Sequence, residues 1–69
     1  MEIIFTKHVR GRIKKRKISE DEIINTIKYA EKIDKRKGKY YAQKDIGRGK
    51  IEVVYTRDKY IKIVTVYWI

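Results

Sequence analysis

The sequence predicts an α+β domain in which two N-terminal helices pack on one face of an antiparallel sheet. In the first half, apolar residues recur at helical spacing, whereas the second half is rich in β-branched and aromatic residues. A capping-box sequence marks the start of the second helix. The 69 residues are expected to form a single domain, 1–69, because a chain this short can build only one small core.

The predicted order begins with a short strand over Glu2 to Thr6 and a helix over Lys7 to Lys17. This helix should dock through Val9 and Ile13, one turn apart. Gly11 inside it costs about 1 kcal/mol relative to alanine, so the helix is expected to depend on that docking.

The second helix is predicted from about Glu20 to about Ile33, behind the capping box of Ser19 and Glu22. Its apolar stripe consists of Ile23, Ile24, Ile27, Ala30 and Ile33. A basic turn over Asp34 to Gly38 should follow.

A three-stranded antiparallel meander completes the prediction, with its strands joined by two short turns. The strands are Lys39 to Ile46, Ile51 to Thr56 and Tyr60 to Trp68. In the last strand, simple alternation places Ile61, Ile63, Thr65 and Tyr67 on one face. The pattern leaves open whether the first strand joins this sheet in parallel or antiparallel sense.

Composition limits the classes of function. The chain has no cysteine and one histidine, so neither a disulfide framework nor a transition-metal site is expected, and no cofactor is predicted. No apolar run is long enough to span a membrane, and the N-terminus does not resemble a signal peptide, which predicts a cytoplasmic protein. The abundance of Lys, Arg, Ile and Tyr resembles proteins from hot environments. A net charge of +10 favours a polyanionic partner.

The basic stretch from Lys7 to Ile18 is the most informative part of the chain. It contains no acidic residue, and on a helix His8, Arg12 and Arg16 would line one face. Like charges at this spacing destabilise a helix by about 0.2 to 0.5 kcal/mol per pair. Local stability therefore does not explain the pattern, whereas an anionic partner does.

The same residues resemble a family of small uncharacterised domains. Its members open with a histidine and two arginines at four-residue intervals and then an isoleucine, here His8, Arg12, Arg16 and Ile18. A capped helix follows, as in Ser19-Glu20-Asp21-Glu22-Ile23, and the chain closes with Val64-Thr65-Val66-Tyr67.

This family is similar in arrangement to the RelE, ParE and BrnT toxins, which combine helices on one face with an antiparallel sheet. The resemblance implies a type II toxin-antitoxin system, in which a basic toxin cleaves RNA. The implied partners are RNA, free or on the ribosome, and an acidic antitoxin protein. Many RelE-type toxins continue into a C-terminal helix after the sheet, whereas this sequence stops at Ile69.

Metal-free RNA cleavage needs a proton acceptor for the 2′-hydroxyl and cations that stabilise the charge developing on phosphorus. His8 is the candidate acceptor, and Arg12 and Arg16 are candidate phosphate ligands, with Tyr67 as a fourth catalytic candidate. Alternatively, His8 bonds a backbone group, and the arginines are solvated or pair with acids such as Glu20 and Asp21.

Further nucleic-acid contacts are predicted from basic side chains and from an aromatic ring that could stack on a base. They are Lys7, Arg10, Lys14, Lys15, Lys17, Arg48, Lys50, Tyr55 and Arg57. The alternatives are that the tyrosines fill the core and that Arg48 and Lys50 merely flank a glycine turn. Three functions therefore compete: an RNA-cleaving toxin, a non-catalytic nucleic-acid-binding module, and a domain that docks on an acidic protein.

Overall fold

The computed structural model describes residues 2–69 and has the α+β architecture that the sequence predicts. The elements are β1 (Ile3–Ile4), α1 (Lys7–Arg16), α2 (Glu20–Lys28), β2 (Lys32–Arg36), β3 (Lys39–Asp45), β4 (Lys50–Arg57) and β5 (Ile61–Trp68). The sheet order is β1-β5-β4-β3-β2; β1 pairs with β5 in parallel, and all other pairs are antiparallel.

The prediction that α2 extends to about Ile33 is wrong. The helix ends at Lys28, and the segment expected to complete it and form a turn becomes β2, an additional strand paired with β3. Lys37 and Gly38 join the two strands with φ angles of 51° and 79°. Positive φ at both central residues is the pattern of a type I′ hairpin turn, so Gly38 belongs to a hairpin and not to a helix end.

Both helices cover the same face of the sheet, α1 against β5 and α2 against β3 and β4. Val9 and Ile13 are buried on α1, as their spacing predicted, and Ile23 is fully buried on α2. They pack on Ala42, Val53, Val66 and other apolar residues that point to the helix side. The apolar stripes of the two helices thus form one side of the core, and the sheet forms the other.

A β-bulge in β5 changes which side chains share a face. Val54 pairs with Thr65, but the next residue, Tyr55, pairs with Ile63, so that Val64 is skipped. Ile63 consequently faces the helices and is fully buried, while Thr65 lies beside Val54 on the opposite, open face. Simple alternation, which placed these residues together, is therefore wrong across the bulge.

Arg48, in the turn between β3 and β4, joins both helices to the sheet. Its guanidinium donates to the Glu22 carboxylate at 2.7 and 3.0 Å and to the Lys17 carbonyl at 2.6 Å. It also lies 5.0 Å from the ring of Trp68, whose Nε1 donates to the Arg16 carbonyl at 2.9 Å. We call these contacts the helix–hairpin junction.

Glu22 serves two parts of this structure at once. Its carboxylate accepts from the Ser19 amide at 2.9 Å while the Ser19 hydroxyl accepts from the Glu22 amide, which confirms the predicted capping box. The hydrogen bond from Arg48, followed by that from the Ser19 amide, lowers the pKa of the Glu22 carboxyl below its ordinary value of 4.5.

Within residues 2–69, no helix is both long and apolar enough to cross a bilayer.

Substitution of Arg48 by glutamine should reduce stability and change its dependence on pH. Because the pKa of Glu22 is lowered by folding, its contribution is complete above 4.5 and is lost as the pH falls through the folded value. Thermal unfolding at pH 7 and pH 3 should show a lower Tm for Arg48→Gln at pH 7, and a smaller decrease on acidification than in the unmodified protein.

Arg57→Gln is the control, since Arg57 is exposed at the end of β4 and forms no ion pair within the described chain. Equal Tm values for the two variants at both pH values would contradict the role of the junction.

Candidate nucleic-acid interface

The outward face of α1 forms an open groove of about 630 Å³ beside β5. Its lining residues recur every three or four positions and so share one side of the helix. They are His8, Gly11, Arg12, Lys15 and Arg16, which we call the α1 groove. The predicted row of His8, Arg12 and Arg16 is therefore brought together, and the structure adds Gly11 and Lys15 to it.

Thr6 and Lys17 define the two ends of the helix that carries this groove. The Thr6 hydroxyl accepts from the Val9 amide at 3.2 Å, and Lys17 adopts a left-handed conformation, with φ 58°, that ends the helix. Three basic residues lie in the last turn, where they interact favourably with the helix dipole. The dipole thus accounts for part of the charge on α1, but not for the cations further from its C-terminus.

His8 and Arg12 are exposed and contact each other. Arg12 Nε donates a hydrogen bond to His8 Nε2 at 2.8 Å. An imidazole nitrogen can accept only when it is unprotonated, so this contact requires neutral His8 with its proton on Nδ1. The pair therefore combines a proton acceptor with a cation in one open site.

Arg16 forms the side of the groove nearest the sheet. Its Nη1 atom donates to the Val66 carbonyl at 2.8 Å, and its side chain is partly buried. β1 covers only Ile61 and Lys62 of β5, so this carbonyl lies on the outer edge of the sheet beyond the end of β1. One cation of the groove is thus held by the backbone, while the others extend into solvent.

The cations of the α1 groove have no carboxylate partner within 4 Å in the described part of the chain. Across residues 2–69, the ion pairs within 4 Å are Arg10–Glu20, Lys32–Asp34, Arg48–Glu22 and Lys50–Glu31. None includes Arg12, Lys15 or Arg16. The predicted alternative of pairing with Glu20 or Asp21 therefore does not describe Arg12 or Arg16; instead, Arg10 contacts Glu20 at 3.4 Å.

Tyr67 lies on the opposite face of the sheet from the α1 groove. It pairs with Glu52 across β4 and β5, next to the core pair Val53 and Val66, so the side chains of the two pairs point to opposite faces of the sheet. The Tyr67 hydroxyl donates to the Glu52 carboxylate. Gln43 Nε2 donates to the same carboxylate at 2.9 Å. We call Gln43, Glu52 and Tyr67 the sheet-face cluster, and the structure does not bring it together with His8.

The sheet-face cluster holds an ionised carboxylate with little access to water, since Glu52 is only 7% exposed. Burial by itself would raise the pKa of Glu52, but the hydrogen bonds from Gln43 and Tyr67 outweigh it. Together with the positive charges of Arg36 and Lys32, they lower this pKa below 4.5. Conversely, the hydrogen bond to Glu52, then burial, raise the pKa of Tyr67 to about 12.

The other predicted nucleic-acid contacts are divided among several environments. Lys7 and Lys14 are exposed on α1 outside the groove, Lys17 ends the helix, Lys50 lies 3.8 Å from Glu31, and Arg57 is exposed. Arg48 is engaged in the helix–hairpin junction. Tyr55 is 3% exposed and stacks on Tyr40 at 5.2 Å in the core, so its ring is not accessible to a base.

Gly11, Gln43 and Glu52 are the residues of these two clusters that pattern reasoning missed. Gly11 carried a signal, because it lies three residues after His8 and one before Arg12 in the same helix. Glu52 is the only acid in an apolar strand segment, but its partners depend on the strand register. No group of three or more potential metal ligands is found in residues 2–69.

Tyr67 should make stability fall at alkaline pH. Its folded pKa of about 12 exceeds its ordinary value of 10.0, so its contribution is present below pH 10 and is lost as the pH rises towards 12. Urea unfolding from pH 9 to 11.5 should therefore show a smaller decrease in the free energy of unfolding for Tyr67→Phe. An equally steep decrease in both proteins would exclude the Tyr67–Glu52 interaction as its source.

Comparison with curated proteins finds no match, and comparison with solved structures finds none either. A family model described as a domain of unknown function, DUF4258, matches residues 5–68. This confirms the expectation of a small uncharacterised domain family. Because the match includes both helices and most of the sheet, the chain belongs to the DUF4258 family.

Proposed function

We propose that this protein is a toxin-type protein of a type II toxin-antitoxin system that binds single-stranded RNA in the α1 groove and cleaves it there. The observation that carries the proposal is a set of three cations in one groove, Arg12, Lys15 and Arg16, that form no ion pair with any carboxylate of residues 2–69. A phosphodiester backbone supplies the negative charge that these residues lack.

The shape of the groove favours a polymer over a small ligand. It lies open along the outer side of α1 and is not an enclosed cavity, so part of an extended chain can lie against it. The guanidinium of Arg12 is exposed and can bind two phosphate oxygens at once, while Lys15 adds a more mobile charge. The net charge of +10 attracts such a polyanion from a distance.

His8 makes cleavage chemically feasible at the same place. When Arg12 turns from His8 to a phosphate, Nε2 becomes free to accept the proton of the adjacent 2′-hydroxyl. The 2′-oxygen then forms a bond to phosphorus, the bond from phosphorus to the 5′-oxygen breaks, and water protonates the leaving oxygen. Arg12 and Lys15 stabilise the charge that develops on the phosphoryl oxygens.

The toxin assignment rests on the similarity in arrangement to RelE, ParE and BrnT proteins. Two helices on one face of a mostly antiparallel sheet support it, as does the basic surface. An acidic antitoxin would neutralise the same uncompensated cations that bind RNA. RNA is thus bound only when the antitoxin is absent, which makes competition between the two partners the expected form of control.

Lys15→Gln should weaken RNA binding more than Lys14→Gln does. The two variants lose the same charge at adjacent positions of one helix, but only Lys15 lines the groove. Fluorescence anisotropy with a single-stranded RNA at several salt concentrations should show that the salt dependence of log K decreases by about 0.7 for Lys15→Gln. Equal slopes for both variants would place binding outside the groove.

Cleavage should occur in EDTA and yield a 2′,3′-cyclic phosphate and a 5′-hydroxyl. His8→Ala should reduce the rate at least about 100-fold while RNA binding is retained. An RNA with 2′-deoxyribose at the cleaved position is the substrate control and should be bound but not cut.

The alternative functions predict other results. RNA that is bound but not cut by the unmodified protein would indicate a non-catalytic nucleic-acid-binding module. If neither RNA nor DNA binds at low salt, docking on an acidic protein becomes the favoured function.

A further inference from the structure

Gly11 lies in the middle of α1, where glycine is an unfavourable residue. Two structural reasons that usually require glycine are absent here. Its φ angle is not positive, and a Cβ atom at this position would meet nothing within 4 Å. Neither the backbone conformation nor the packing of α1 therefore explains the glycine.

Its position in the α1 groove offers a reason. Gly11 is exposed and lies between His8, three residues earlier, and Lys15, four residues later, on one side of the helix. Arg12 and Arg16 line the same groove. Because Gly11 has no side chain, the helix backbone itself forms the floor of the groove at this point. The imidazole, guanidinium and ammonium groups of the other lining residues surround it.

We propose that one phosphate group of the bound RNA lies directly against Gly11. We call this position the phosphate seat. This inference rests on the proposed function. It specifies the point in the groove at which the phosphodiester backbone of the RNA comes closest to helix α1. Gly11 contributes space and not a hydrogen bond, because its amide is already engaged in the helix ladder. A phosphate on this floor lies among all the cations of the groove, whereas a methyl group would lift it away from them.

The geometry of charged hydrogen bonds makes this space important. Nitrogen–oxygen distances of about 2.7 to 2.9 Å are needed for strong contacts between cations and phosphate oxygens. Arg16 has limited freedom to follow a displaced phosphate, because its guanidinium is held at Val66. A Cβ atom at position 11 therefore weakens contacts that the rest of the groove cannot restore.

Gly11→Ala tests the proposal because it should change stability and binding in opposite directions. Alanine is the better helix former and has free space at this position, so the Tm should rise by about 4 to 8 °C. Binding of single-stranded RNA, measured by fluorescence anisotropy, should weaken about tenfold, as the loss of one charged hydrogen bond predicts.

The unmodified protein supplies a second measurement that does not depend on the variant. In a titration of ¹⁵N-labelled protein with the same RNA, the Gly11 amide resonance should shift more than that of Gly38, which lies in the β2–β3 hairpin. A smaller shift at Gly11 than at Gly38 would overturn the proposal.

The outcomes separate this proposal from the function on which it rests. If the unmodified protein binds RNA and Gly11→Ala binds it equally well, the phosphate seat is wrong but RNA binding stands. If the unmodified protein does not bind RNA, both are wrong. A more stable variant with weakened binding would support the seat, since general damage to the fold cannot produce that combination.

Discussion

The contact of Arg48 with Glu22 and the Lys17 carbonyl is the interaction that connects the separate parts of the structure. It joins the end of α1, the beginning of α2 and the β3–β4 turn at one point, and Trp68 packs against it from the end of β5. Gly49 permits this approach, because a Cβ atom there would lie 2.8 Å from the Trp68 ring. This polar junction adds to the buried packing of Val9, Ile13 and Ile23 in fixing the orientation of both helices, and that orientation places the α1 groove beside β5.

Local signals predicted those elements whose ends are determined by nearby residues. The capping box of Ser19 and Glu22 identified the start of α2, and the spacing of Val9 and Ile13 identified the buried side of α1. The end of α2 was missed because Ile33 continues the helical apolar period, although in the structure it belongs to an edge strand and is 48% exposed. Pairing of β2 with β3 replaces the helix there, and such tertiary pairing overrides a periodic pattern.

The candidate site was predictable where it lies on one helix and unpredictable where it depends on the sheet. Helical spacing is enough to bring His8, Arg12 and Lys15 to one side, whatever the remaining fold. Tyr67, by contrast, was grouped with His8 by sequence, and only the strand register shows that it faces Glu52 on the other side of the sheet. The skipped residue in β5 further changes the faces, and no local pattern marks a bulge of this kind.

Because β1 is short, Arg16 also covers part of an open sheet edge. β1 covers only the first two residues of β5, so the following backbone groups form an open sheet edge, a surface on which another chain could pair. The Arg16 guanidinium already occupies the Val66 carbonyl on that edge. Replacing Arg16 would therefore alter two properties at once, by removing a positive charge from the groove and by uncovering an acceptor that favours self-association. Loss of solubility in such a variant would reflect the exposed edge and not the missing charge in the groove.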